Sequence, residues 1–252
     1  TGDLAGFAAS TYLRGVNLIQ IPTSLLAMVD SSIGGKVAVN LQAGKNLVGS
    51  FYQPEIVLID PTLLDTLPDR HFADGISEVV KYGCIRDREL FCMLETLKNR
   101  EEVMANIEEI IFRCCTVKKD VVEQDEKEKN LRMILNFGHT FGHAIEKCFQ
   151  YKTYTHGEAV SMGMVFISEM SFRIGICSKD TAERIRTLLQ KFSLPVDFPC
   201  IKPEDVLSAV IKDKKARTNS INLVLIEDIG RVRIEPFSKD RIGGLIYEML
   251  GN

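Results

Sequence analysis

From about residue 72 onward, apolar residues recur every three or four positions; before it they come in short, unbroken runs. The recurrence predicts helices over about 73–84, 88–98, 102–123, 139–149, 157–175, 179–192 and 203–212. A β-hairpin follows, in which 221–226 and 231–234 flank the turn Glu227-Asp228-Ile229-Gly230, and an amphipathic helix over about 238–250 closes the pattern. In the first part, Val16 to Ile21 before Pro22 and Ile56 to Ile59 before Asp60-Pro61 read as buried strands of an α/β sheet. The change of pattern near residue 70 predicts a domain boundary, with an α/β portion over 1–70 and a helical domain over 71–252. No internal repeat and no low-complexity linker interrupts either part.

Composition sharpens this picture at several points. With 252 residues, 45% of them hydrophobic, the chain can bury one large core or two ordinary ones. A formal charge of −3, from 31 basic and 34 acidic residues, gives no field for long nucleic acid, so any polyanionic partner must be small. No apolar run approaches about 18 residues and no signal peptide opens the chain, so neither membrane insertion nor export is expected. The seven cysteines form no Cys-x-x-Cys pair, which fits reduced thiols in the cytoplasm. The opening Thr1-Gly2-Asp3, without an initiator methionine, reads as a cut made inside a domain.

The candidate chemistry is concentrated in one place: three of the four histidines fall between His139 and His156. His139 and His143 are four apart, so on a helix both rings leave the same face, and His156 stands at the start of the next helical pattern. A catalytic zinc site takes three protein ligands and keeps a position open. Either a carboxylate therefore joins His139 and His156, or His143 is itself a ligand. Glu78, an acid on an otherwise apolar helical turn, is the best carboxylate; the competing reading pairs it with Lys81 on the helix surface. Asp30-Ser31-Ser32-Ile33-Gly34-Gly35-Lys36 and Gly44-Lys45-Asn46 are glycine-rich and carry lysines, as an anion-binding segment would, although an ordinary surface loop has the same composition.

Taken together, these segments resemble the 3-dehydroquinate synthases. The strings that carry the likeness are Gly2-Asp3-Leu4-Ala5-Gly6-Phe7, Arg14-Gly15, Pro22-Thr23, Asp30 to Lys36, Gly44 to Asn46, Glu78-Val79-Val80-Lys81-Tyr82-Gly83, Leu135 to Ala144 and His156-Gly157-Glu158. The resemblance runs from the first residue to the hairpin region and implies an incomplete Rossmann-like NAD-binding portion followed by the helical metal- and substrate-binding domain. It further implies conversion of 3-deoxy-arabino-heptulosonate 7-phosphate to 3-dehydroquinate and phosphate, in the shikimate pathway of aromatic amino acid biosynthesis. NAD⁺ is used catalytically, the metal is zinc or cobalt, and the protein is a homodimer.

Position by position, the resemblance makes Glu78, His139 and His156 the metal ligands, which frees His143. Arg14, Asp30, Lys36, Asn46, Lys81, Lys118, Arg132 and Asn136 match substrate contacts, and Lys214 is favoured over Lys215 for one more. Glu128 and His143 match proton acceptors. The retained NAD contacts fall on Gly2, Asp3, Thr23, Ser24, Lys36, Lys45 and the segment Leu63-Leu64-Asp65-Thr66. Val37, where the family commonly has threonine, and Leu41-Gln42-Ala43 depart from the pattern. They keep open a related cyclase such as 2-deoxy-scyllo-inosose synthase, and a metal- and NAD-dependent alcohol dehydrogenase is the further alternative. Because many NAD contacts would lie before Thr1, the 252-residue chain by itself is expected to bind zinc with little or no turnover.

Overall fold

The computed structural model describes residues 1–41, 44–126, 130–213 and 220–251. Helix α1 (Gly2–Thr11) opens the chain. Strand β1 (Ile19–Gln20) lies parallel to β4 (Ile56–Val57), and between them β2 (Lys36–Leu41) and β3 (Gly44–Phe51) form an antiparallel hairpin. Helices then dominate: α2 (Asp69–Ile85), α3 (Arg88–Thr96), α4 (Arg100–Ala105), α5 (Ile107–Gln124), α6 (His139–Cys148), α7 (His156–Arg173), α8 (Lys179–Lys191) and α9 (Pro203–Asp213). Strands β5 (Ser220–Asp228) and β6 (Arg231–Ser238) pair as a hairpin, and α10 (Lys239–Leu250) ends the order.

Three expectations need correction. The strands expected to be buried are a two-residue parallel pair whose side chains face solvent: Ile19 is 57% exposed and Ile56 46%. Among the described residues no third strand extends this pair. The glycine- and lysine-rich region is not an irregular loop. Ala27–Ser31 is a short π-helical turn and Lys36–Phe51 contains the β2–β3 hairpin, because Val37 to Val39 and Leu47-Val48 supply β-favouring residues on both arms. Finally, the periodicity over 102–123 belongs to two helices broken at Asn106, whose side-chain amide donates back to the Glu102 carbonyl at 2.8 Å and competes with continuation of the helix.

The centre of the molecule is a pair of helices. From Gly75 to Ile85 every residue of α2 is buried, and α7 is buried along most of its length. Such all-round burial follows from position: α2 packs against α3, α5, α7, α8 and the β5–β6 hairpin, so it has no solvent face to keep polar. Helix α7 begins with a full capping box, in which the Thr155 hydroxyl accepts from the Glu158 N–H and the Glu158 carboxylate accepts from the Thr155 N–H. That box fixes the residue at which His156 enters the helix.

Glycines bring α6 against α7. Gly138 has φ of 78° at the entrance to α6, a left-handed conformation that a side chain would strain. A Cβ on Gly163 of α7 would stand 2.1 Å from the Gly138 carbonyl oxygen, and one on Gly142 would stand 3.1 Å from the Ala159 carbonyl oxygen. The backbones therefore touch where the sequence alternates Gly-His-Thr-Phe-Gly-His, and each histidine, one residue after a glycine, is turned about 100° away from the seam toward the cleft. Gly163→Ala forces the helices apart and is expected to lower unfolding free energy by about 2–3 kcal/mol in urea titrations followed by circular dichroism.

Candidate active site

A cleft of about 1180 Å³ lies between the first segment of the chain and the α6–α7 pair. Gly2 and Asp3 of α1, Thr23, Ser24, Asp30 and Lys36, Lys45 and Asn46 of β3, Asn136, His139 and His143, and His156 all line it. The fold thus brings together residues more than 150 positions apart in sequence, each of which its own local motif singles out.

His139 and His156 of the cleft wall meet the buried Glu78 behind them, the three coming from α6, α7 and α2 with their ligand atoms all within 4.8 Å of one another. The Glu78 side chain is wholly buried. Its Oε1 stands 3.5 Å from His139 Nε2 and 3.7 Å from His156 Nε2. On His139 the other ring nitrogen, Nδ1, sits 3.1 Å from the Phe137 carbonyl oxygen, which assigns the proton to Nδ1 and leaves a lone pair on Nε2. Burial, then the charge of Lys81 and the neighbouring His156 and His143 rings, holds the His139 imidazole well below its usual pKa, in its neutral form. Two electron-rich atoms, a carboxylate oxygen and an imidazole lone pair, therefore face one another. Ligands about 2.1 Å from a tetrahedral ion lie roughly 3.4 Å apart, so the spacing fits a small divalent cation between them. Among the described residues no group donates a well-formed hydrogen bond to Glu78 Oε1, which fits the same conclusion.

The competing reading of Glu78 is also partly realised. Lys81 Nζ lies against Glu78 Oε2 one helical turn on, but the pair is buried, not on the surface. A buried ammonium that touches one oxygen and leaves the other to the histidines balances charge without blocking the site. Burial lowers the Lys81 pKa, and the Glu78 and Asp30 carboxylates more than reverse this.

Asp30 is a second centre. Its Oδ1 accepts from the Tyr82 hydroxyl and from Lys118 Nζ, each at 2.7 Å, and the same ammonium donates to the Asp30 backbone carbonyl. Burial works against ionisation of Asp30, but Lys118 and Lys81 hold its pKa well below the ordinary carboxylate range. For Lys118 burial prevails over its partner and lowers the ammonium's pKa. Arg132, also buried, donates to the Glu126 carbonyl at 2.6 Å and to the Gly34 carbonyl at 3.0 Å, and so supports the turn that carries Gly34-Gly35-Lys36. Lys81, Lys118 and Arg132 accordingly stand behind Glu78, Asp30 and Gly34, not among the residues that line the cleft.

Other expected residues lie apart. Arg14 is exposed, with φ of 68°, and does not line the cleft. Leu63 to Thr66 fall in the 3-10 helix Pro61–Thr66, with the Leu64 side chain in the core and its carbonyl held by Arg100 at 2.7 Å. Glu128, Lys214 and Lys215 lie outside the described residues.

Sequence patterns alone do not single out the groups that hold the site. Arg70, Asp74 and Glu78, at four-residue spacing, project from one face of α2 onto the start of α7. Arg70 clamps both Glu158 oxygens at 2.7 and 2.8 Å, Asp74 accepts from the Gly157 N–H, and Glu78 meets His156. The spacing is a visible signal, but only the contact with α7 gives it meaning. Glu146 is likewise absent from the expected site residues, although it follows His143 by three residues and so shares its helix face. Buried, it accepts from Lys45 Nζ at 3.0 Å and stands 3.5 Å from His156 Nδ1.

Comparison with known proteins gives this geometry a lineage. The structure aligns with a 2-epi-5-epi-valiolone synthase from Streptomyces hygroscopicus subsp. jinggangensis, solved with NAD⁺ and Zn²⁺ bound, at a TM-score of 0.89 and 27% identity over 99% of this chain and 70% of the other. A 2-deoxy-scyllo-inosose synthase complexed with carbaglucose-6-phosphate, NAD⁺ and Co²⁺ aligns at a TM-score of 0.86 and 32% identity, over 98% of this chain and 71% of the other. The class is that of the sugar phosphate cyclases. Within it, the family described as "3-dehydroquinate synthase N-terminal" matches residues 1–74 and "3-dehydroquinate synthase C-terminal" matches residues 75–216. A 3-dehydroquinate synthase of Clostridium beijerinckii is 55% identical over 93% of this chain. The chain belongs to the 3-dehydroquinate synthase family, and it spans about two thirds of the length of the curated relatives it matches.

The clamp from α2 onto α7 yields a prediction. Asp74→Ala leaves the Gly157 N–H buried without its acceptor, and unfolding free energy measured in urea is expected to fall by about 1–3 kcal/mol.

Proposed function

We propose that the whole protein is a 3-dehydroquinate synthase, converting 3-deoxy-arabino-heptulosonate 7-phosphate to 3-dehydroquinate and phosphate, and that Glu78, His139 and His156 hold its divalent metal ion. The observation that carries the reading is the buried Glu78 carboxylate facing two imidazole nitrogens across a gap of cation size, in a chain of this family. When bound, NAD⁺ supplies a hydride acceptor and zinc or cobalt a Lewis acid that acidifies a substrate hydroxyl.

The chain's own residues do the rest. Lys36 and Asn46 come from the two arms of one hairpin, so a single rigid element presents an ammonium and an amide to a phosphorylated, carboxylated substrate. Asn136 enters from the opposite wall, at the end of the short helix Leu131–Asn136. His143, one turn beyond His139 on α6, has its ring centroid 5.5 Å from that of His139 and lines the cleft, where its imidazole can exchange a proton with substrate beside the metal ligands. Lys81 and Lys118 add positive charge from behind, and Arg132 stiffens the turn before Lys36. Asp3, Thr23, Ser24 and Lys45 line the same cleft and are the retained contacts for NAD⁺ in this reading. A homodimer belongs to the same proposal.

The test is phosphate release by the whole protein supplied with NAD⁺ and Zn²⁺, compared over the heptulosonate phosphate, sedoheptulose 7-phosphate and glucose 6-phosphate. Release from the heptulosonate phosphate alone, with no accumulation of NADH, is expected. Turnover of only a sugar phosphate without a carboxylate would transfer the chain to another cyclase activity, and steady NADH accumulation would replace cyclisation with net dehydrogenation.

A further inference from the structure

The two histidines that face Glu78 are oriented by different means. His139 has its Nδ1 on the Phe137 backbone carbonyl, so its ring direction follows from the local fold at the α6 entrance. His156, the first residue of α7, meets no such carbonyl at its Nδ1 among the described residues; that nitrogen is buried and faces Glu146 Oε1 at 3.5 Å. Glu146 lies on α6, three residues beyond His143, and only 4% of its surface is exposed. A carboxylate buried to this degree needs a reason to be there. Its Oε1 accepts from Lys45 Nζ at 3.0 Å and faces the His156 ring at 3.5 Å, and these two contacts are what compensate it.

We propose that Glu146 is a positioning residue for His156: its carboxylate takes the Nδ1–H, fixing the tautomer and ring direction that present Nε2 to an ion shared with Glu78 and His139. An acceptor on the distal nitrogen of a ligating imidazole orients the ring and makes its lone pair more basic. A carboxylate does this more strongly than the carbonyl that serves His139, so the two nitrogen ligands are unequal. Lys45, on the hairpin across the cleft, donates to the same Oε1 at 3.0 Å and neutralises the carboxylate. The ammonium also decides against a different use of this corner. His143, Glu146 and His156 form a second group whose ligand atoms lie within 4.8 Å of one another, but a cation seated there would face Lys45 at the same carboxylate.

The inference rests on the three-ligand reading of Glu78, His139 and His156, and one experiment separates the two. Zinc affinity of the purified 252-residue chain is measured by competition with a chromophoric chelator, and the visible d–d absorption is recorded after cobalt loading, for wild type, Glu146→Gln and Glu146→Ala. Weakening of about 10-fold in Glu146→Gln and closer to about 100-fold in Glu146→Ala is expected, with a shifted cobalt spectrum in both and circular dichroism like that of the wild type. Gln keeps the shape of the side chain and decides the matter even if the alanine variant fails to fold. Wild-type zinc affinity with an unshifted cobalt spectrum in Glu146→Gln overturns the role of Glu146. A wild-type chain that binds no zinc overturns instead the ligand set on which it rests.

Discussion

A single acidic side chain organises this molecule: Glu78, wholly buried in the middle of a helix that has no exposed face from Gly75 to Ile85. A carboxylate in that position is costly unless charge and hydrogen-bond donors surround it. Lys81 comes from its own helix, His139 from α6 and His156 from α7, so three helices are committed to one point. The fold around Glu78 is therefore a means of holding a polar group in an apolar interior, with Lys81 against one oxygen and the other oxygen turned to the two histidines.

Close packing makes that convergence possible. Glycines at 138, 142 and 163 remove the side chains that would separate α6 from α7, and Gly157, where a Cβ would lie 2.2 Å from the Asp74 carbonyl oxygen, does the same between α7 and α2. Backbone contact at both seams places ring nitrogens within ångströms of a carboxylate, with little freedom to move. Rigid elements locate a ligand set more precisely than loops can, and here all three candidate ligands are helical.

The first segment of the chain is joined to this core by the same kind of interaction. Asp30 leaves the π-helical turn to meet Tyr82 of α2 and Lys118 of α5, and Lys45 reaches from β3 to Glu146 of α6. Three buried or half-buried carboxylates, Asp30, Glu78 and Glu146, are met by three ammonium groups, those of Lys118, Lys81 and Lys45. The three pairs balance charge locally, and Lys36 and Lys45 bring ammonium groups to the cleft of a chain whose overall charge is negative. One wall of the cleft carries the candidate ligands, the other carries Lys36 and Asn46, and the ion pairs hold the two in register.

Much of this architecture is legible in the amino-acid sequence. Apolar periodicity locates α2, α3 and α6 to α10 because each buries a stripe or a whole surface, and a period of 3.6 is what such burial requires. The histidine spacing marks a common helix face, and the long motifs of the family mark Glu78, His139 and His156. Local pattern fails where the outcome depends on neighbours. Strand signals at Val16 and Ile56 do not reveal that each strand pairs over only two residues, and the glycines and lysines of 30–46 conceal a hairpin. Asn106 breaks a helix that hydrophobicity alone would continue. Above all, Arg70, Asp74 and Glu146 acquire their meaning from residues 83 to 101 positions away in sequence, since Arg70 and Asp74 meet the start of α7 and Lys45 meets Glu146. The chain by itself determined which residue types can bind a cation and which helix faces they occupy, because both follow from side-chain chemistry and backbone period. Only the tertiary structure decided which carboxylate faces which imidazole, because that depends on how closely two helices approach, and the approach is set by glycines on one helix against backbone on another.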